Sequence, residues 1–445
     1  MREISFGLVH RVSVKRKNAG QIAASCSTIA KEGFCNVAAH IYFSESGNSG
    51  MFKSASAAYV YVCIYYALVF MGNGAFSSYI GLYYSKINLD TFTIGLLTSV
   101  GLITALCVQP LWGLAADRAK SKNSVLLLSL LLTSASIWLM PASGEHFWLL
   151  LASTALFYVF QCVVNPLSDT ITLELAGKSQ FNFSRVRTYG SVGFAGMSAI
   201  AGWILDRDIN YMFPLFSAMM LLAFVCACTI PRVEGHQRKQ KVRLKELFNS
   251  RALTVIYIYT FIIESTIGFF FTYHAVYCQE QGISTSLLGI GVMIGSISQF
   301  PFMIFFDRLY ARFGVYKILL FSGLIHLLRW LLYAVTVTEF TVILSWALHG
   351  GTFILFYLCL AEYVNRHVRK ELKASGQMMN SIMTLGISRI FGGLAGGAYA
   401  SVFGIGSGFA VCAGLCAVAM LAFSWYVKRY AASTAAQAET NSVAQ

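Results

Sequence analysis

Apolar runs of close to twenty residues, separated by short polar stretches, recur along the chain from about residue 58 to residue 427. At 1.5 Å of rise per residue such a run crosses a hydrocarbon core of ~30 Å as one α-helix. The pattern predicts spans over Ala58 to Tyr83, Thr93 to Trp112, Ser124 to Met140, Phe147 to Leu173, Arg187 to Leu205 and Tyr211 to Ile230. After a polar stretch come Leu253 to Cys278, Leu287 to Phe306, Tyr316 to Val337, Thr341 to Tyr363, Gly376 to Phe403 and Gly408 to Val427. The expected fold is therefore an all-α membrane protein with about twelve transmembrane helices. These fall into an N-terminal six-helix half (51–230) and a C-terminal six-helix half (251–429), joined by a cytoplasmic linker (231–250).

The two ends of the chain are different in kind. Residues 1–50 are polar, with a basic cluster at Arg11, Lys15, Arg16 and Lys17, and read as a disordered tail or an over-extended start before Met51. Residues 430–445 read as a disordered tail.

Composition agrees with the pattern, since 57% of residues are hydrophobic and only 12% charged, against about 25% charged in soluble domains. The net charge of +14 raises the possibility of nucleic acid, but the basic residues sit in short loops between spans. Asp117 to Lys122, Lys178 with Arg185, the linker (Arg232, Arg238, Lys239, Lys241, Arg243, Lys245), Arg308 with Arg312 and Lys317, and Arg366 to Lys373 all fall on one side. The positive-inside rule then makes that side and both termini cytoplasmic, in a plasma (inner) membrane, with the lipid bilayer and no nucleic acid as surroundings. Short loops leave no room for a soluble catalytic domain, which argues against an enzyme. The eleven cysteines form no CxxC pair and lie mostly in apolar runs, so neither a metal site nor a disulfide framework is implied. No cofactor is implied either.

An internal repeat relates the halves. GLITALCVQPLWGLAADR ends on Asp117-Arg118 and GVMIGSISQFPFMIFFDR on Asp307-Arg308; Gly101 with Gly291, Gln109 with Gln299 and Asp117 with Asp307 share one offset, 190 residues. Repeated halves are an architecture of transporters, with the substrate near the bilayer midplane between them.

Ionisable groups within the spans are the candidate chemistry. An isolated charge there costs roughly 2.5 to 3.5 kcal/mol on insertion scales, so it faces a bundle interior or a wet cavity and marks function by default. Asp169 lies on one apolar run and Arg187 opens the next, so each can offset the other's cost from a neighbouring helix. The blander alternative is that Arg187 snorkels to the headgroups and Asp169 only caps. Glu264, Arg329 and Arg389 each lie about half-way along a run, some 15 Å deep.

GLAADR at Gly113 to Arg118, after the second span and before a basic stretch, resembles the loop signature of the major facilitator superfamily. The copy at Asp307-Arg308 has Met303 in place of the glycine. The resemblance implies that these positions (Gly113, Asp117, Arg118, Asp307, Arg308) gate the movement of the two halves. The segment from Asp169 to Phe194, with LLRWLLYA and LHGGTF, resembles the group of the 3-phenylpropionate permease and the lactose permease-like oligosaccharide:proton symporters. On that resemblance Asp169 and Arg187 fall on the lactose permease's acid–arginine pair, and Arg329 and His349 on its ninth-helix arginine and tenth-helix histidine.

Two departures shape the expected mechanism. Thr352 stands where the lactose permease carries its proton-bearing glutamate, and Gln299 where the phenylpropionate-like group has an acid. That leaves Glu264 as the coupling group, with Arg329 as its expected partner and Asp169 as the competing proton carrier. Arg187, Arg329 and Arg389 against Asp169 and Glu264 make an excess-positive site, which favours an anionic solute because arginine stays charged and grips carboxylates bidentately. The expectation is a proton-coupled importer of a small aromatic or other carboxylate, acting as a monomer. A sugar or nucleoside symporter and a small-molecule exporter remain open. Substrate contacts are expected from Asp169, Arg187, Arg329, His349 and Arg389, and His326 is placed to orient Arg329.

Overall fold

The computed structural model describes residues 49–179, 181–234, 250–369 and 372–443. The expected N-terminal tail, most of the linker with Arg238, Lys239, Lys241, Arg243 and Lys245, and the expected loop positions 370–371 lie outside the described residues. The chain divides into two compact units, Met1–Ala57 and Ala58–Gln445; of the first, residues 49–57 are described, as the start of the helix Ser49–Phe76.

Within the second unit the described residues are helical throughout, with no strand. Lipid supplies no hydrogen-bond partners, so a spanning segment must bond its own backbone, and an α-helix does so completely. Nine helical stretches are long and apolar enough to cross a bilayer among the described residues. The longest, Thr285–Val335, runs 51 residues. Straight, it would reach ~76 Å, over twice a hydrocarbon core. It breaks instead at Gly314, where φ is +70°, a conformation that glycine adopts without a Cβ clash. Two further helical stretches lie beyond the nine, Phe183–Leu205 and the run from Lys373 through a π-helical turn (Ile382–Ile387) to Phe403.

Side-chain caps start several helices. Ser250 accepts from the Leu253 amide, Ser284 from Leu287, and Thr338 and Thr341 form a reciprocal capping box, each supplying a partner that the first turn lacks. Thr93 donates its hydroxyl and amide to Asp90, which holds that carboxyl below the usual carboxylate range. The Asp90 cap is therefore intact above the ordinary carboxylate pKa and is lost only as pH falls through the lowered one.

Two sequence expectations change. GLAADR is the C-terminal end of the helix Thr91–Arg118 rather than a loop, and Asp307-Arg308 likewise lie inside a helix. The last helix, Ile405–Val443, continues where a disordered tail was expected. An apolar run identifies the part of a helix that lipid covers but not how far the helix continues into water.

The end of the bundle nearest the basic residues is tied by a polar cluster. The Lys122 ammonium, 4% exposed, pairs with Glu174, 31% exposed, while the Lys122 amide donates to the Val233 carbonyl and the Val233 amide to Asn123 Oδ1. The asymmetric burial gives an ordered prediction for thermal unfolding of the purified protein. Glu174→Ala strands a buried ammonium and should cost about 3 kcal/mol. Lys122→Met leaves only a partly solvated carboxylate and should cost about 1 kcal/mol.

Helices from the first set meet those of the second at the opposite end. Backbones touch there at several glycine positions, among them Gly81 against Thr272, Gly95 against Gly393, Gly202 against Thr285 and Gly289 against Ser198. Tyr273 adds a bridge, its hydroxyl donating to the carbonyls of Gly393 (2.7 Å) and Thr91 (3.3 Å).

Candidate solute and proton sites

The helices Phe147–Ser179 and Phe183–Leu205 bring the first charged pair together. Arg187 Nη1 donates to Asp169 Oδ2 at 2.6 Å, with the side chains 51% and 29% exposed. The Tyr66 hydroxyl donates to the other carboxylate oxygen at 2.7 Å, and its ring stacks on Phe70 at 6.1 Å. Asp169 is thus held from two helices, and its charge cancels that of Arg187. Tyr66 escaped the sequence reading because one tyrosine among 23 carries no distinguishing mark.

Phe70 and Ser191, the latter one turn beyond Arg187, open onto a cleft of about 240 Å³ whose other walls are Phe194, Ser296, Gln299, Phe300 and Met303. Its lining is uncharged. Gln299 therefore faces the cleft at the position where the resemblance implies an acid.

In the second set, Arg329 is completely buried. Its Nε donates to Ser345 Oγ (3.1 Å), and its Nη1 to His349 Nδ1 (3.2 Å) and Thr352 Oγ1 (3.3 Å). The guanidinium lies over Phe270 at 4.7 Å and Trp330 at 5.0 Å. Since arginine can only donate, His349 Nδ1 is an acceptor and carries no proton in this arrangement. The helix is broken here into a 3-10 turn, His349–Gly351, which aims His349 and Thr352 at the guanidinium. His326 does not orient Arg329: its Nδ1 donates to the Ser322 carbonyl at 2.8 Å, and its ring packs on Trp330 and Phe356.

Glu264 is also completely buried, and neither carboxylate oxygen has a hydrogen-bond partner. Its charged neighbour is Arg389, with which it interacts electrostatically, rather than the expected Arg329. The cause is helix packing. The helices Arg251–Glu280 and Ser388–Phe403 cross so closely that a Cβ on Gly392 would lie 2.0 Å from the Ser265 carbonyl oxygen, and one on Gly268 would lie 2.7 Å from Arg389 Cα. Arg389 lies two residues after the end of the π-helical turn Ile382–Ile387, an irregularity frequent at functional sites. Its guanidinium lies between Phe271 (4.9 Å) and Phe353 (5.5 Å), and Nε is unbonded.

The remaining predicted positions belong to none of these three centres. Gly113, Asp117 and Arg118 occupy the last turns of their helix, and Asp307 and Arg308 are exposed near the Gly314 break, with Arg308 over Phe305 at 5.8 Å. Phe269, Phe270, Tyr273 and Trp330 are core residues.

Charged side chains within a helical membrane bundle, beside a cleft between its helices, are features of membrane transporters. The sequence pattern of the MFS_1 like family matches residues 59–411, and the chain belongs to that family, within the major facilitator superfamily, as a multi-pass protein of the plasma membrane. It is 28% identical over 340 residues to the maltose permease of Geobacillus stearothermophilus, covering 75% of this chain and 86% of that one. It is 26% identical over 314 residues to the "Probable 3-phenylpropionic acid transporter" of Escherichia coli (strain K12), covering 67% and 80%. A crystal structure of the nucleoside transporter NupG superposes with a TM-score of 0.74 at 18% identity, covering 83% of this chain and 99% of that one.

Proposed function

We propose that the protein is a proton-coupled importer of a small organic solute, working by alternating access between two six-helix halves. Taking Thr285–Val335 as two spans and adding Phe183–Leu205 and Lys373–Phe403 to the other long helices gives twelve. The basic end is cytoplasmic by the positive-inside rule, so the glycine contacts close the outer end and the cleft faces inward.

The observation that carries the coupling is Glu264, buried without a hydrogen bond beside Arg389. A buried carboxylate tolerates its charge only with compensation. A solute carboxylate on Arg389 would compete for the guanidinium, and Glu264 would then take a proton, so solute and proton travel together. Phe271 and Phe353 offer faces for a ring on that solute. Arg329, enclosed by Ser345, His349 and Thr352, serves as a structural charge in this state. A neutral sugar or nucleoside is the second reading, favoured by the uncharged cleft and the cancelled Asp169–Arg187 pair, and in keeping with what the maltose permease and NupG are named for.

Proteoliposomes with an imposed pH gradient test the proposal against panels of carboxylates, sugars and nucleosides. Accumulation of a carboxylate driven by an inward proton gradient is expected. Accumulation only of neutral solutes selects the second reading, and substrate loss against the gradient selects an exporter.

A further inference from the structure

The Asp206 carboxylate, at the end of the helix Phe183–Leu205, does not cap its own helix. It reaches across to the start of the helix Thr285–Val335. There Oδ1 accepts from the Thr285 amide at 2.6 Å, and Oδ2 from the Ser286 amide at 3.1 Å and from the Ser286 hydroxyl. Ser284 already supplies that helix with a side-chain cap, through the Leu287 amide. Asp206 therefore adds a second, charged cap from a helix of the other set, on amides that a helix N-terminus leaves open. Charge-assisted bonds of this kind are the stronger ones.

Below this contact the two helices run backbone to backbone. A Cβ on Gly289 would lie 2.4 Å from the Ser198 carbonyl oxygen, and one on Gly202 would lie 2.7 Å from the Thr285 carbonyl oxygen. Tyr79, from the first set, fills the remaining notch with its hydroxyl donating to the Ser198 carbonyl at 2.6 Å. The glycine contacts are apolar and non-directional; Asp206 supplies a directional bond at this seam that must break for the seam to part.

We infer that Asp206 is the outer latch of the transport cycle, a positioning residue that holds the inward-facing state by capping the neighbouring half's helix and releases it when the outer end opens. This rests on the alternating-access reading. In that reading other outer contacts, Gly81 with Thr272 and Gly95 with Gly393 among them, open together with the latch although Asp206 touches neither.

Hydrogen exchange of the purified full-length chain in nanodiscs, read by mass spectrometry, tests this without solute or gradient. Losing a helix cap shifts an equilibrium by roughly five- to tenfold. Asp206→Ala should raise exchange by about that factor at residues 285–289, and also at 80–84, 269–275 and 393–397. Asp206→Asn, which keeps an acceptor but loses the charge, and Ser286→Ala, which removes one donor, should give smaller increases over the same segments. If Asp206→Ala does not fold, those two variants carry the test. An increase confined to residues 285–289 would make Asp206 a local cap only, and unchanged exchange would remove its role altogether; either overturns the latch. Failure of the transport reading would show instead as absent uptake by wild-type proteoliposomes, whatever the exchange pattern.

Discussion

Glu264→Gln is expected to abolish uphill uptake driven by a pH gradient while leaving downhill exchange of solute near the wild-type rate. Glutamine keeps the size and shape of the neutral acid but neither binds nor releases a proton. The neutral isostere removes the desolvation burden of a buried, unbonded carboxylate but leaves the Arg389 guanidinium without its counter-charge, so uptake is scored per folded molecule. Counterflow and gradient-driven accumulation, measured on the same proteoliposome batch, separate the two effects. Full uphill uptake by the variant would remove Glu264 from the coupling step. Asp169 would be the next candidate, although its two partners, Arg187 and Tyr66, already satisfy it as a carboxylate.

The second large effect is expected at Gly392. Its Cα faces the Ser265 carbonyl so closely that one added methyl group meets backbone rather than a movable side chain. Gly392→Ala must push the helices Arg251–Glu280 and Ser388–Phe403 apart, and overpacking of this kind costs about 1 to 3 kcal/mol. It also draws Arg389 away from Glu264, so coupled uptake should fall further than the loss of folded protein explains. Thermal unfolding and uptake per folded molecule, measured together, check both statements. An unchanged melting point would show that this helix crossing is looser than its geometry requires.

Much of this architecture is legible in the amino-acid order, because hydropathy depends on each segment's own residues. The Asp169–Arg187 pairing is legible for a related reason: the two residues lie on consecutive antiparallel helices joined by a short turn. The partner of Glu264 is not legible. Arg329 and Arg389 are equally central in their helices, and only the close crossing at Gly268 and Gly392 selects Arg389. The same holds for Tyr66 and Asp206, whose partners lie 103 and 79 to 80 residues away. The helical GLAADR shows a further limit, since polar residues at a span's end mark where lipid stops and not where the helix does.

The break at Gly314 leaves a single residue between the segment that begins at Thr285 and the one that carries Arg329. A loop of several residues would spread a tilt of one arm over many dihedrals; here the change falls on the backbone dihedrals at Gly314, the kind of residue that accommodates it without a Cβ clash. The register between the Thr285 end and the Arg329 segment is thereby set at one joint.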